Sequence, residues 1–376
     1  MLNQTEYLKT HVEYTMSNTP RSLGYRMPGE HEPHAGCWMI FPQRPDVWGI
    51  DPTPAQRVFA NVATAISQFE LVTMCVSSEQ LDNAKSILPN SVRIVEMANN
   101  DAWMRDCGPS FIVNCQGDVS GVDWEFNAWG GLDDGLYFPW NDDNSVANKV
   151  LKMIGFDRYK TNLVNEGGAI HVDGEGTLIT TRSVLLNENR NPDLTQQEIE
   201  QVFHDYLSID KTIWIDGEAE DETDGHVDGL CAYVKPGVIL IAWHNDPKSE
   251  EYAAYQSVYK QLSNATDAKG RKLEIIKLPL VDLPPVTAEE ASRIKKINGT
   301  YPRNKGDYVW GGYINFYIAN GGVVFPCFDV PEDADAERIL TSAFPDRKIV
   351  GVPGCRAISI GGGNIHCITQ QQPLGK

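Results

Sequence analysis

The feature that most limits the fold of this chain is a repeated unit in which an amphipathic helix leads into a short apolar strand. The segment "TPAQRVFANVATAISQF" at residues 53–69 has apolar side chains at helical spacing, and the strand-like segment 71–76 follows it. The same order recurs with helical patterns at 195–209, 249–262 and 333–344 and apolar strands at 211–215, 273–280 and 347–352. This alternation predicts an α/β protein.

Hairpins whose turns are rich in Gly, Pro, Asn or Asp accompany these units. Their sequences are "SFIVNCQGDVSGV", "AIHVDGEGTLITT", "CAYVKPGVILIAW" and "NFYIANGGVVFPC". Because one such unit cannot cover its own apolar face, the recurrence favours about five modules closed around an axis, with "GCWMIFP" near the start as one of them. An ordinary α/β protein in which hairpins merely recur would give the same pattern. We expect one domain over residues 1–376, with residues 1–22 as a peripheral segment.

Polar residues stand immediately before three of the hairpins. "NDAWMRDCGP" carries Asp106, "VNEGGA" carries Glu166, and "DDETDGHVDG" carries His226 and Asp228. The intervals from 106 to 166 and from 166 to 226 are both 60 residues. Equivalent positions of modules around an axis lie near that axis, and by the same logic the last module contributes Cys367 from "GGGNIHCITQ". We therefore predict that these five groups form one site.

A thiol among carboxylates is chemically unfavourable unless the substrate is a cation. Negative charge raises the pKa of a thiol and suppresses the nucleophilic thiolate. A planar guanidinium can be held by two carboxylates through charge-assisted hydrogen bonds, and its charge then favours the thiolate. Because the guanidinium carbon is a poor electrophile, covalent attack by cysteine divides a difficult hydrolysis into two easier steps.

The overall charge is consistent with such a substrate. With 32 basic and 51 acidic residues the net charge is −19, which disfavours nucleic acid and anionic membranes as partners and attracts small cations. The same charge could equally serve solubility alone.

Simpler roles for the same residues remain open. Cys367 alone would be read as an inert buried thiol, and "DETDGHVDG" as a solvated turn or an acidic calcium loop, although the EF-hand spacing is missing. A zinc site would recruit His366 beside Cys367, but neighbours on an extended strand point to opposite faces, so we expect His366 either to pack or to support the residues that contact the substrate. The glycines of "NEGGAI" do not have the spacing of a dinucleotide fingerprint, and a papain-like protease would need the reverse order of Cys and His. We expect no metal and no organic cofactor.

Six motifs together resemble the agmatine deiminase family of the peptidylarginine deiminase superfamily. They are "RMPGEHEPHAGCWMIFPQRPDVWG", "NDAWMRDCGP", "FNAWGG", "NEGG", "DDETDGHVDG" and "GGGNIHCITQQQP", and they extend from about Met27 to Pro373. The resemblance implies the pentein fold, an α/β propeller of five modules with pseudo-fivefold symmetry and a central site. The sequence departs from the family pattern in two places. One is His31, where we expect an aromatic residue, and the other is "VWGGYINFY" before Asn315.

The resemblance also implies a role for each site residue. Cys367 corresponds to the nucleophile and His226 to the general acid/base. Asp106 and Asp228 correspond to the carboxylates that bind the guanidinium, and Glu166 to the glutamate that orients the histidine and contacts the guanidinium. The implied reaction converts agmatine and water to N-carbamoylputrescine and ammonia through an amidino-cysteine.

Substrate specificity is expected beyond the guanidinium. Glu222 matches a position that contacts the amine side, within the acidic run Glu218, Glu220, Asp221 and Glu222, which would accept an ammonium and repel the carboxylate of arginine. The rings of Trp103, Trp124 and Trp129 could wall the aliphatic part or offer a face to a cation, whereas a Trp in a chain of this size is more often a core residue.

Other functions stay open at this point. A related arginine or peptidylarginine deiminase would act on a different guanidine, and an amidinotransferase of the same fold would pass the amidino group to an amine instead of water. A polyamine-binding module without catalysis would explain the acidity and the aromatic residues but not the thiol.

The cellular setting follows from what the chain lacks. The start has no basic and apolar leader, no segment has the length of a membrane span, and the eight cysteines show no paired framework. We expect a cytoplasmic protein, and the resemblance suggests a homodimer.

Overall fold

The computed structural model describes residues 19–217, 222–249 and 251–376. The predicted peripheral segment lies mostly outside these ranges, as do Glu218, Glu220 and Asp221 of the acidic run. Of that segment, the described part includes Arg21, whose Nη2 lies 2.7 Å from the Asp210 carboxylate.

The described residues contain short strands throughout. They are β1 (Tyr25–Arg26), β2 (His34–Ile40), β3 (Val72–Val76), β4 (Val92–Glu96), β5 (Ser110–Asn114), β6 (Val119–Glu125), β7 (Arg158–Val164), β8 (Ile170–Val172), β9 (Thr177–Thr181), β10 (Lys211–Ile215), β11 (Cys231–Lys235), β12 (Val238–Trp243), β13 (Glu274–Pro279), β14 (Tyr317–Ala319), β15 (Gly322–Pro326), β16 (Lys348–Val352) and β17 (Thr369–Pro373).

Helices connect many of these strands. They are α1 (Thr53–Ile66), α2 (Leu81–Ile87), α3 (Met104–Cys107), α4 (Gly131–Asp134), α5 (Val146–Ile154), α6 (Arg182–Leu185), α7 (Gln196–Leu207), α8 (Tyr252–Asn264), α9 (Ala288–Arg293), α10 (Glu332–Ala343) and α11 (Arg356–Ser359). The sequence sets several of their ends: Thr195 and Glu198 form a capping box at the start of α7, and Gly155 ends α5 in a left-handed conformation at φ 75°.

The strands of the described residues form five sheets with one shared pattern. In each sheet two antiparallel strands are followed by a third strand that runs parallel to the second, as in β5, β6 and β7. The other sheets of this kind are β8–β9–β10, β11–β12–β13 and β14–β15–β16. A parallel pair needs a crossover connection, and helices α5, α7, α8 and α10 provide it. The predicted α/β class and its recurring module are confirmed.

The fifth sheet is assembled from both ends of the described chain. Strand β2, within the predicted unit "GCWMIFP", pairs antiparallel with β17 and parallel with β3, and β4 lies beyond β3. The polar segment 369–373 was not predicted as a strand. It pairs at a buried position because Trp38 Nε1 donates to Gln372 Oε1 at 2.9 Å and Arg105 Nη1 donates to Gln371 Oε1 at 2.8 Å.

The buried apolar residues form a large cluster and a smaller one. The large cluster includes Phe59 of α1, Ile239 of β12 and Phe325 of β15, and the smaller one lies around Ile170 and Phe203. The strands are therefore held in a closely packed core, and the turns next to them have a rigid base. In the described part of the chain, no helix combines the length and apolar character that crossing a bilayer requires.

We predict that removing β17 destabilises the whole protein. Deleting residues 369–376 breaks the ladder with β2, and each lost hydrogen bond contributes about 1 kcal/mol to stability. The midpoint of thermal unfolding, followed by circular dichroism, should fall strongly. Deleting only residues 374–376 is the matched control and should have a small effect; equal midpoints for both truncations would contradict the prediction.

Candidate active site

The predicted site residues lie on tight turns that lead into the first strand of a sheet. Asp106 lies on α3 ahead of β5. Glu166 precedes a 3₁₀ turn at Gly167–Ala169 and then β8, while His226 precedes a 3₁₀ turn at Val227–Gly229 and then β11. The turn that ends at β17 carries Cys367. Three-dimensional structure thus brings the five predicted groups, which we call the site cluster, to one place.

His226 occupies the centre of the site cluster. Its Nδ1 lies 3.9 Å from Asp106 Oδ1, and its Nε2 lies 3.6 Å from Glu166 Oε2. Burial opposes the charged imidazolium, but the carboxylates of Asp106, Glu166 and Asp228 outweigh it and raise the pKa of His226 to about 9. The ring is therefore protonated at neutral pH and can donate a proton.

Glu166 is fixed by a buried arginine that the sequence analysis missed. Arg190 Nε donates to Glu166 Oε1 at 2.6 Å, and both side chains have 0% exposure. Burial favours the neutral acid, but the guanidinium and His226 hold the pKa of Glu166 at about 2. Because Arg190 Nη1 also lies 3.0 Å from Asp224 Oδ2, the arginine connects Glu166 to the loop that precedes His226.

Asp106 is held in place from two sides. Its Oδ1 accepts a hydrogen bond from Gly168 N at 2.9 Å, and its Oδ2 accepts one from Trp129 Nε1 at 3.0 Å. Ala128 and Trp129 adopt left-handed backbone conformations at φ 57° and 63°, which direct the chain so that the indole reaches the carboxylate. Burial raises the pKa of Asp106 to about 6. The charge of His226 lowers this pKa, but the carboxylates of Asp228 and Glu166 offset part of that effect.

Asp228 connects a histidine to the thiol. His366 Nδ1 lies 2.9 Å from Asp228 Oδ2, and the Cys367 thiol donates to the same oxygen at 3.4 Å. Burial works against the charge on Asp228, but the hydrogen bond from His366 holds its pKa below the usual range. The prediction that His366 and Cys367 face opposite ways was wrong, because residues 365–368 form a turn and not an extended strand.

The Cys367 thiol is buried at 9% exposure. Burial, together with the charges of Asp228 and Asp106, raises its pKa well above the ordinary value for a thiol. In the absence of a cation, the thiol is therefore protonated, as the sequence analysis expected for a cysteine among carboxylates.

Asn315, which precedes the sheet β14–β15–β16, contacts both the nucleophile segment and the Asp228 backbone. Its Oδ1 accepts from Cys367 N at 3.2 Å, and its Nδ2 donates to the Asp228 carbonyl at 3.4 Å. Like the predicted site residues, it stands directly before a hairpin, so its position in the module was a signal that the sequence analysis did not use. With Asn315, a turn next to each of the five sheets contributes a residue to the site.

Two glycine segments leave room at the centre. A Cβ on Gly168 would lie 2.6 Å from His226 Nδ1, 2.9 Å from Asp106 Oδ1 and 3.1 Å from Asp228 Oδ2. A Cβ on Gly363 would lie 2.9 Å from Cys367 Sγ. Only glycine fits at these positions, because any side chain would occupy the space between the reactive groups.

Two of the predicted aromatic walls are at the site and one is not. The rings of Trp103 and Trp129 meet edge to face with centroids 6.5 Å apart, and a Cβ on Gly363 would lie 2.7 Å from the Trp103 ring. Trp124 packs against Phe203 in the smaller apolar cluster, so of the two roles considered for it Trp124 has the core role.

Glu222 lies at the edge of the site and is paired. Arg303 donates to both of its carboxylate oxygens at 2.9 and 2.8 Å and also to the carbonyl of Gly361. A Cβ on Gly362 would lie 2.5 Å from Glu222 Oε2, which places this carboxylate against the glycine segment before Cys367. Arg303 was not predicted from the sequence, and its charge means that this end of the site is not purely acidic.

One group in the described residues has the spacing to hold a metal ion. Side-chain atoms of Glu30, His171 and His366 lie within 4.8 Å of one another. A cation already occupies this neighbourhood, because Arg105 Nη1 lies 3.2 Å from Glu30 Oε1. A divalent ion bound to that oxygen would be repelled by the guanidinium, so we assign no metal there.

The chain is similar to known proteins over nearly its whole length. A family model described as Porphyromonas-type peptidyl-arginine deiminase matches residues 26–373. The chain belongs to this family. An agmatine deiminase of Pseudomonas aeruginosa (strain UCBPP-PA14) is 51% identical over 360 residues, covering 95% of this chain and 98% of that protein. An agmatine deiminase of Ectopseudomonas mendocina (strain ymp) is 50% identical over 362 residues, covering 96% and 98%.

Solved structures of other proteins also match the chain. One described as the agmatine deiminase of Enterococcus faecalis catalyzing its reaction has a TM-score of 0.92 and 46% sequence identity, covering 95% of this chain and 98% of that one. The resemblance derived from six motifs is confirmed, as is the pentein fold that it implied.

We predict that Asp106 is needed for the high pKa of His226. In Asp106→Asn the imidazolium loses one nearby carboxylate, so its pKa should fall by about 1 unit. Titration of the imidazole C–H resonances by NMR measures this pKa. Asp82→Asn, at a fully exposed carboxylate on α2, is the control and should leave it unchanged; a pKa unaffected by Asp106→Asn would contradict the assignment.

Proposed function

We propose that the protein hydrolyses agmatine to N-carbamoylputrescine and ammonia through a covalent intermediate on Cys367. The observation that carries this proposal is the meeting of Cys367, His226 and two carboxylates, Asp106 and Asp228, in one buried place. The names of relatives at about half identity over nearly their whole length support the same substrate.

In the proposed first step, Asp106 and Asp228 hold the guanidinium. The cation offsets the charges that raise the thiol pKa, so the Cys367 thiolate becomes accessible as the substrate binds. The thiolate attacks the guanidinium carbon and forms a C–S bond. The tetrahedral adduct takes a proton from the His226 imidazolium, the C–N bond breaks, and ammonia leaves. An amidino group remains on the sulfur.

In the proposed second step, the neutral His226 takes a proton from water. The oxygen attacks the same carbon, and collapse of the adduct breaks the C–S bond. The remaining hydroxyl proton of the adduct goes to the sulfur, so that the neutral ureido product leaves and the Cys367 thiol is restored. Glu166, fixed by Arg190, keeps the imidazole in position for both steps. Protonation of His226 at neutral pH suits the first step, and its proton is consumed before the second.

Specificity for agmatine is proposed to depend on the edge of the site at Glu222. Its carboxylate faces the glycine segment before Cys367, and Trp103 borders the same segment. An ammonium would join the Glu222–Arg303 pair as a third charged group. Because Arg303 is a cation at this edge, the carboxylate of arginine would not be excluded by acidic side chains alone. Arginine is therefore the necessary comparison substrate.

We predict that the protein releases ammonia from agmatine and that Cys367→Ala does not. The rate should fall by on the order of 10³-fold or more, because the variant lacks the nucleophile. Ammonia and ureido product are measured from agmatine and, in parallel, from arginine and from a peptide containing arginine. Intact-mass analysis of the wild type during turnover should show the amidino adduct.

The outcomes separate the competing functions. Turnover of arginine or of the peptide in preference to agmatine would identify a related deiminase, and amidine transfer to an added amine without ammonia would identify an amidinotransferase. Binding of agmatine with no turnover by the wild type would favour the polyamine-binding module and reject the proposed reaction.

We predict that Gly168→Ala inactivates the enzyme without unfolding it. The added methyl would push against His226, Asp106 and Asp228, and a displacement of about 1 Å costs on the order of 100-fold in rate. Gly229→Ala is the matched control, because Gly229 lies in the corresponding 3₁₀ turn and a Cβ there has its nearest neighbour at 3.8 Å. Similar kcat/KM values for the two variants would contradict this account.

A further inference from the structure

We propose that His366 is a positioning residue that acts on the nucleophile through Asp228. Held between Glu30 and Asp228, its imidazole fixes the Asp228 carboxylate in a charged form with Oδ2 facing the Cys367 thiol. The inference rests on the proposed function, in which Asp228 binds the guanidinium of the substrate. It extends that function to a residue that contacts neither the proposed substrate nor the reacting carbon.

The contacts of His366 form a continuous buried chain. Nδ1 lies 2.9 Å from Asp228 Oδ2, and Nε2 lies 2.8 Å from Glu30 Oε1. The other end of the chain is Arg105, whose Nη1 lies 3.2 Å from the same Glu30 oxygen. With both ring nitrogens facing carboxylate oxygens, the imidazole satisfies both contacts only when both nitrogens carry a proton, which is the imidazolium form.

Backbone contacts hold this chain against the nucleophile. Arg105 N donates to Cys367 O at 3.0 Å, Arg105 Nε donates to His366 O at 3.3 Å, and His366 N donates to Asn315 O at 3.1 Å. The imidazole, the thiol and Asp228 are therefore fixed relative to one another by the same turn. A change in the charge of His366 reaches the thiol through a single carboxylate oxygen.

The charged and titratable groups around His366 act in opposite directions. Burial and the Arg105 guanidinium disfavour its charge, whereas Glu30 and Asp228 outweigh them and raise the pKa of His366 above its usual value. His171 stacks on it with centroids 5.8 Å apart, and burial lowers the pKa of His171 to about 4, so this neighbour is neutral.

The groups around Asp228 explain why a second cation, His366, is needed to keep this carboxylate ionised. His226 also favours the charge on Asp228, and Asp106 is the neighbouring acid whose own pKa Asp228 raises. Without a cation at position 366, two adjacent carboxylates would compete to remain ionised and one would take up a proton more readily. His366 thereby makes the two acids unequal, because it holds the pKa of Asp228 below its usual range while Asp106 titrates near pH 6.

The test compares His366→Asn with the wild type. An asparagine amide can still donate to Asp228 from near the position of Nδ1, but it carries no charge, so the variant separates the charge from the hydrogen bond. At an alkaline pH where Asp228 is still ionised, its charge is no longer offset by the imidazolium, so the pKa of the Cys367 thiol should rise. Alkylation of the thiol by iodoacetamide at a fixed pH in this range, below the thiol pKa, should then slow by about tenfold. Mass spectrometry of the tryptic peptide 357–376, in which Cys367 is the only cysteine, measures this rate.

The pH profile of kcat/KM with agmatine gives a second readout. In the wild type the rate should rise with pH as Asp106 loses its proton near pH 6. In His366→Asn, Asp228 loses the cation that keeps it ionised, so deprotonation of Asp228 should set the acidic limb in place of Asp106 and move it to higher pH by about 1 unit. A merely structural role for His366 would lower activity without moving this limb.

Two further variants keep the test decisive. His171→Asn changes the stacked neutral histidine and should leave both the alkylation rate and the acidic limb in place. Glu30→Gln removes the charge that supports His366 while retaining an oxygen for Arg105, and should move both readouts in the direction of His366→Asn by a smaller amount. This variant carries the test if His366→Asn does not fold.

The outcomes are distinct. Unchanged alkylation and an unchanged acidic limb in His366→Asn, or in Glu30→Gln in its place, would overturn the inference, as would an equal shift in His171→Asn. If the wild type does not hydrolyse agmatine, the proposed function fails; slower alkylation in His366→Asn would then still support the link to the thiol, and an equal rate would reject it.

Discussion

The site depends on pairing buried carboxylates with buried cations. Glu166 is matched by Arg190 at 2.6 Å, Asp228 by His366 at 2.9 Å and Glu30 by Arg105 at 3.2 Å. Asp106 has the loosest partner, since His226 Nδ1 lies 3.9 Å away. Transferring an unpaired charge out of water costs several kcal/mol, so the acid with the weakest compensation is the one best prepared to accept a further cation.

This pairing also explains how the Cys367 thiol can act as a nucleophile although carboxylates surround it. With His226 and His366 protonated, the four carboxylates and the four cations balance while the thiol is neutral. A guanidinium and a thiolate then add one charge of each sign, so the buried centre stays neutral when both are present. The substrate and the reactive form of the nucleophile are thus favoured together.

The sequence allowed the repeated module and the five groups of the site cluster to be predicted, because local periodicity and position before a hairpin are visible in one dimension. The partners of those groups were not visible. Arg190 lies in a loop, Glu30 and Arg105 are distant in sequence from His366, and Asn315 was seen only as part of a divergent segment. The strand at 369–373 was missed because its glutamines gain buried partners, Trp38 and Arg105, only in three dimensions.

The pairing of β17 with β2 has a consequence for folding. The two strands lie more than 300 positions apart, since the hydrogen bond between Trp38 and Gln372 spans 334 residues. Contacts of such long range form slowly because loop closure must precede them. Until β17 has been synthesised, one edge of β2 lacks its strand partner, and an open strand edge is a site of aggregation. Closure of the fifth sheet is thus expected late in folding, in the same event that brings Cys367 to the other four sheets.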